Sequence, residues 1–293
     1  MATTQPIKKR LSTLKAEYDR LRQGKQSLLT IIGEAELSES VFNSNAIENS
    51  TLTLKETERI LLDLEVSRNV SIREVFEAKN LARLMQYMES KVQEAELSKE
   101  NILLFHKMLI DNIDDSVAGR FRKKSEYVRV GTHIAPAPEH VERMMEEILI
   151  EYSSNHDTYI TDKIARFHLD FETIHPFCDG NGRIGRVIIN YQLMRLGFPP
   201  IIVRDKEKNT YYRSFSEYKD AKNPKTMERL IMLALLESLH KRLAYLRSES
   251  IVTLAEAAKR KNNMKALINA ARRQTIPAFR EAGVWKIGVE QPL

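Results

Sequence analysis

The chain has 293 residues, with 46 Lys and Arg against 40 Asp and Glu, one cysteine and a formal charge of +6, which is length enough for one large core with a small appendage. A single cysteine, Cys178, excludes an internal disulfide framework, and no apolar run nears the roughly 20 residues needed to cross a bilayer. The basic excess is local, since residues 241–293 hold eleven basic and four acidic side chains, so a near-neutral body with a basic C-terminal unit is expected. MATTQPIKKR at the start carries no apolar signal-peptide core, and the expectation is a soluble, cytoplasmic protein without a membrane partner.

Apolar residues recur at helical spacing along most of the chain. The spacing predicts helices over 8–32 and 38–48. The second cannot run far, because Thr53 to Glu56 (TLKE) reads as a capping box that opens the next helix, 54–67. Asn49 is a reasonable left-handed cap. Glu48 then sits at a negative helix end, where a carboxylate is disfavoured by up to about 1 kcal/mol unless a cation compensates it. The rival reading, a capping box from Asn45 to Glu48, would place Glu48 at a helix start instead.

Helices follow at 71–94 and 99–113. Residues 119–138, GRFRKKSEYVRVGTHIAPAP, break the pattern with Tyr127, Val128 and Val130, then Gly131, Pro136 and Pro138, and read as a short β-hairpin or extended flap. Further helices are expected at 138–154, 161–174, 183–196, 208–221 and 225–247, so the body is all-α. The chain changes character near Ser248.

Between the helices at 161–174 and 183–196 stands HPFCDGNGRIGR, residues 175–186. Glycines before a helix start let the orphan amides of its first turn approach an anion closely, and Arg183 and Arg186, three residues apart, project from one face of that turn. Two guanidiniums at a positive helix end make sense around a di- or triphosphate. Asp179 offers one carboxylate, which suffices for Mg²⁺ when phosphates supply other ligands. His175 titrates near neutrality and is the natural base. A Walker A loop is excluded, because Gly24-Lys25 is followed by Gln and lacks the upstream glycine.

HPFCDGNGRIGR resembles the signature of the Fic family, His-x-Phe-x-(Asp/Glu)-Gly-Asn-Gly-Arg-x-x-Arg, at every defined position, and the helical body from about 38 to 240 is also similar. The resemblance implies a protein adenylyltransferase that moves AMP from ATP to a hydroxyl of a target protein. His175 would take the hydroxyl proton, Asp179 would bind Mg²⁺, and Gly180, Asn181 and Gly182 would form the anion hole. Arg183 and Arg186 would hold the β- and γ-phosphates, Phe177 would anchor the loop, and Tyr212 resembles an adenine-contacting tyrosine. The flap would hold a target segment as an added strand. SNAIEN, residues 44–49, resembles the family's inhibitory motif, which implies Ser44 and Glu48 acting on Arg186 in an autoinhibited, self-modifying enzyme. Removal of AMP, or transfer of UMP, phosphate or phosphocholine, are the alternatives within the family. A nucleotide-sensing transcription regulator is the alternative outside enzymology.

The tail from 253 to 290 divides into a short Ala-rich helix, a turn around Asn262-Asn263, a second helix with Lys265, Arg272 and Arg273, and a hairpin over PAFREAGVWKIGV. It is similar to winged helix-turn-helix modules of excisionase and MerR-like DNA binders, notably in IPAFREAGVWKI. The expected organisation is therefore an N-terminal helical segment (1–37), a Fic-type helical domain with a β-hairpin flap (38–247, inhibitory helix 38–48) and a small C-terminal winged helix-turn-helix domain (248–293). The partners expected are a hydroxyl-bearing protein, DNA through 248–293 and a second copy in a homodimer.

Overall fold

The computed structural model describes residues 4–66, 68–258 and 264–290. Among the described residues ten α-helices make the body: α1 (Gln5–Leu21), α2 (Gln26–Ile47), α3 (Leu54–Leu61), α4 (Ile72–Lys91), α5 (Lys99–Ile110), α6 (Pro138–Ser154), α7 (Ile160–Ile174), α8 (Asn181–Arg195), α9 (Lys208–Ala221) and α10 (Lys225–Leu246). A two-stranded hairpin, β1 (Arg129–Val130) with β2 (His133–Ile134), interrupts them, turning at Gly131 with φ +57°. None of the described helices is long and apolar enough to cross a membrane.

Two apolar clusters share α7 and α8. Phe167, Phe171, Ile184, Val187 and Tyr191 pack into one with α4 and α5, whereas Ile164, Leu169, Ile189 and Leu193 pack into the other with α1 and α10. α8 is buried continuously from Arg183 to Leu193, its apolar residues facing both clusters and its Arg183, Arg186 and Asn190 side chains each paired. Its N-terminus is thereby fixed between two cores. Gly197, left-handed at φ +73°, ends it with a Phe198 N–H to Leu193 C=O bond of 3.0 Å.

The expected break between the first two helices lies elsewhere. α2 runs unbroken through residues 33–38, and the chain turns instead at Gly24, whose φ of +71° a glycine adopts without strain. α2 ends where expected. Ile47 is its last residue, Glu48 caps it, and Asn49 is left-handed at φ 69°, with Ser50 N–H closing back on Asn45 C=O at 3.0 Å. Asn45 thus lies inside a helix end, so the capping box from Asn45 to Glu48 does not form. The box at Thr53 and Glu56 does form. It opens a helix shorter than expected, because Asp63 turns left-handed at φ 55° and ends α3.

Beyond α10 the chain turns at left-handed Ser248 into β3 (Ser250–Thr253), then α11 (Leu254–Ala258), α12 (Met264–Arg272), β4 (Ala278–Glu281) and β5 (Val284–Val289). The strands form one antiparallel sheet in the order β3-β5-β4. The hairpin β4–β5 was expected and β3 was not. The turn expected around Asn262-Asn263 lies outside the described residues.

This small sheet is joined to the body by buried ions. Arg280 on β4 donates to Glu237 of α10 at 2.6 and 3.0 Å, and Glu237 also receives Arg204 at 3.0 Å. Arg204 reaches Glu39 of α2, which accepts the backbone N–H groups of Ala282 and Gly283 at 3.1 and 3.0 Å. Lys241 and Arg242 of α10 both pair with Glu36, again on α2. Each charge of this network has an opposite partner, which such burial demands.

Candidate active site

The loop between α7 and α8 is built to hold one shape. His175 ends α7 in a left-handed conformation (φ 51°, ψ 63°), Phe177 is fully buried, and the Asn181 side chain closes the loop on Phe177, accepting its N–H at 2.9 Å and donating to its C=O at 2.8 Å. The Asn181 side chain is thereby occupied, which leaves only its backbone N–H to face an anion. Gly180, at φ +81°, begins α8 with no side-chain cap, and the first intrahelical bond runs from Ile184 N–H to Gly180 C=O. The amides of the first turn are the helix's orphan donors, at its positive end.

Residues without a place in the signature hold this loop from below. His106 is fully buried, stacks on Phe177 with centroids 3.7 Å apart, accepts Gly119 N–H at 3.0 Å and donates to Asp179 C=O at 3.1 Å. Burial holds its pKa down at about 4, so it serves as a neutral bridge. Arg122 is buried and donates to the carbonyls of His175, Glu126, Pro136 and Ile174. It ties the flap's base to the end of α7, while His133 on β2 meets Thr173 C=O at 2.9 Å.

The two arginines of the signature do not share a ligand in this state, because each has its own carboxylates. Arg183 pairs with Glu77 of α4 at 3.1 Å and with Asp179 at 3.2 Å, and Asp179 is also held by Arg73. Arg186 is fully buried and meets Glu48 at 2.9 Å, the Ser44 hydroxyl at 3.0 Å, Ser44 C=O at 2.8 Å and the Tyr211 hydroxyl at 3.2 Å. Glu48 thus answers its unfavourable helix-end position with a cation. A Cβ on Gly182 would collide with the Glu48 carboxylate.

His175 lies 3.7 Å from the Glu172 carboxylate, and its pKa is lowered to about 4 by burial and then by Arg122. The imidazole is neutral at physiological pH and free to accept a proton. Glu172, one helical turn earlier on α7, is pushed up to about 8 by burial and then by Glu48, against the opposing pull of Arg186. One of its oxygens is buried and has no hydrogen-bond partner among the described residues. Gly185 admits it, since a Cβ there would lie 2.6 Å from His168 and 2.8 Å from Glu172.

These groups open on a cavity of about 500 Å³ lined by Glu48, His175, Gly182 and Tyr212, with the flap's Val130 to His133 on one side. Tyr212 is partly exposed and donates to Ile47 C=O at 3.1 Å, whereas its neighbour Tyr211 is buried and bonds His168 and Arg186. Val130 and Ile134 point outward at 44% and 72% exposure. Asp179, 39% exposed, belongs to no group of three or more His, Cys, Asp or Glu able to hold a metal among the described residues.

Residues 96–193 match the family model described as Fic/DOC family. The protein adenylyltransferase Fic of Drosophila yakuba is 30% identical over 257 residues, covering 83% of this chain and 50% of that protein. The chain spans about half the length of this curated relative. Among solved structures, a Fic domain containing signaling protein from Bacteroides thetaiotaomicron superposes with a TM-score of 0.73 at 22% identity, covering 82% of this chain and 97% of that one. Fic-1 from C. elegans gives a TM-score of 0.69 at 25% identity, covering 83% and 73%. The body has the fold of these Fic structures, as the resemblance implied.

Proposed function

We propose that the chain is a protein adenylyltransferase, moving AMP from ATP to a Ser, Thr or Tyr hydroxyl of a target protein, and that Glu48 holds it at rest. The observation that carries the reading is the single junction that puts a neutral histidine and Gly182 of an uncapped helix start at one cavity beside the flap, with Arg183 and Arg186 in the first turns of that same helix and Arg186 joined to the cavity through Glu48. The relative from Drosophila yakuba, named a protein adenylyltransferase, supports it.

In this reading the amides of Gly180, Asn181 and Gly182, with Arg183 and Arg186, take the phosphates' charge, and Tyr212 packs beside the adenine. His175 accepts the target's hydroxyl proton as the oxygen attacks the α-phosphorus and pyrophosphate departs. Positioning and charge neutralisation carry most of such a transfer. The flap aligns the target by strand addition along β1–β2.

Asp179 suits a hard cation in donor type and exposure, and would hold Mg²⁺ together with phosphate oxygens and water once Arg73 gives way. The ion would supply charge compensation at the phosphates. With Arg186 held by Ser44 and Glu48, the position assigned to the γ-phosphate is obstructed.

The C-terminal unit, residues 248–293, is proposed to bind DNA as a winged helix-turn-helix. In support, Lys265 is exposed on α12, with Arg273 just beyond, and β4–β5 has the form of a wing. A mobility shift with the full chain should weaken steeply between 50 and 200 mM salt, as on the order of several phosphate contacts require.

Intact-mass measurement after incubation with ATP and Mg²⁺ tests the enzyme. Glu48→Gly should gain AMP on itself faster than wild type by about tenfold or more; no added AMP in either protein would refute the reading.

A further inference from the structure

A second cavity, of about 580 Å³, lies away from the signature loop, where α9 and α10 face the C-terminal unit. Its walls carry Arg213, Lys225 and Arg229 from the body and Arg272 from α12, and its floor carries Arg280 and Trp285. The two acidic residues of the lining, Glu207 and Glu237, are already engaged by Arg280, at 2.9 and 2.6 Å. Lys225, Arg229 and Arg272 have no ion-pair or hydrogen-bond partner for their side chains among the described residues, and Arg213 has a single weak one, Glu217 at 3.4 Å.

Four cations drawn from three helices line one concave space whose two carboxylates are already used by Arg280, which leaves their charge open to an entering anion. Concavity distinguishes them from an ordinary solvated face. A cleft of about 580 Å³ has the size of a small-molecule site, and guanidinium and ammonium groups are the side chains that bind phosphate oxygens. Thr210 and Thr226 add hydroxyls to the same lining. The floor is specific as well, because Arg280 lies over the Trp285 ring at 4.6 Å and is fixed there by Glu237.

We propose that this cleft between α9–α10 and the C-terminal unit is a second anion site, taking a small polyphosphate-bearing molecule held by Arg213, Lys225, Arg229 and Arg272. It is independent of the transfer reaction assigned to the first site. Its floor is continuous by ion pairs with α2, through Arg280, Glu237, Arg204 and Glu39, so the site lies at the joint that fastens the C-terminal unit to the helix ending in Glu48.

The chain has one tryptophan, and it lines this cleft, so its fluorescence reports on this site directly. The test titrates the full chain with inorganic pyrophosphate, and in a second arm with ATP, while total ionic strength is held constant with NaCl. A saturable change in Trp285 emission is expected, with affinity lowered about tenfold or more in Lys225→Glu/Arg229→Glu; both positions are exposed, and unchanged thermal midpoints would show that the variant folds. A response to both ligands assigns recognition to the phosphates; a response to ATP alone assigns part of it to the nucleoside, and supports the site equally. No change in wild type, the same change on adding NaCl alone, or equal affinities in wild type and variant would overturn the proposal.

Discussion

Glu48 occupies the space in which Gly182 lacks a side chain, and its carboxylate meets Arg186 at 2.9 Å from that position. The contact joins the end of α2 to the first turn of α8, two elements more than 130 residues apart in sequence. Gly182 and Glu48 are therefore coupled sterically as well as through the neighbouring arginine.

Gly182→Ala should reveal that coupling in a double-mutant cycle. Alanine favours a helix by about 1 kcal/mol over glycine, yet here its methyl group must displace Glu48 and should destabilise the wild type by about 1–3 kcal/mol. In a Glu48→Gly background the same change should be neutral or stabilising. Equal effects in the two backgrounds, read by urea denaturation, would show that the two residues do not compete for space.

His175→Ala should abolish AMP transfer while ATP affinity stays within a few-fold, because the imidazole is assigned to the target's proton and the phosphates are assigned to other groups. Calorimetric ATP binding beside labelled-AMP transfer, both in the Glu48→Gly background, reads the two effects separately. Persisting modification would remove His175 from the role of base.

Buried titratable groups give stability two opposite dependences on pH. His106, His168, His175 and His240 are held by burial at about 4, 3, 4 and 4, below the roughly 6.5 of an unfolded chain. The unfolded chain binds the extra protons, so stability falls as pH drops from about 6.5 toward 4. Glu172 behaves oppositely. With its pKa raised to about 8, it keeps a proton that the unfolded chain releases above roughly 4.3, so its contribution is present in acid and lost as pH rises toward 8. Glu172→Gln should accordingly change the thermal midpoint little at pH 5 and raise it at pH 8.5. A midpoint lowered equally at both values would contradict the assignment.

Arg204→Met should destabilise the protein by about 3–5 kcal/mol, because it leaves the buried Glu39 and Glu237 without a shared cation. A loss below about 1 kcal/mol in chemical denaturation would mean that Arg280 and the Ala282 and Gly283 amides carry those charges unaided.

The site was legible in sequence wherever its chemistry is local. HPFCDGNGRIGR announces a loop feeding a helix N-terminus, and SNAIEN followed by a capping box places Glu48 at a helix end beside a left-handed Asn49, as the backbone has it. Partners drawn from distant segments left no such trace. His106, Arg122 and Glu77 hold the loop from other helices and the flap, and nothing in their own neighbourhoods marks them. Tyr211 and Tyr212 differ by one step around α9, and composition does not tell which faces the arginine. Glu172 had a signal available, since it stands three residues before His175 on one helix face. The break after α1 was misplaced because α2 is covered on several sides, which blurs the helical period through Gly33, while the turn at Gly24 depends on backbone conformation. β3 has four residues and owes its existence to β5, far along the chain.

The vacancy at Gly182 also constrains how this chain can vary. The bareness that would let phosphates approach the first turn of α8, as proposed, is the same bareness that admits the carboxylate from α2. Any side chain at that position crowds the Glu48 carboxylate and, with it, the place proposed for the phosphates. In the proposed function restraint and competence are therefore bound together: a change at residue 48 would release the first alone, whereas a change at residue 182 would alter both.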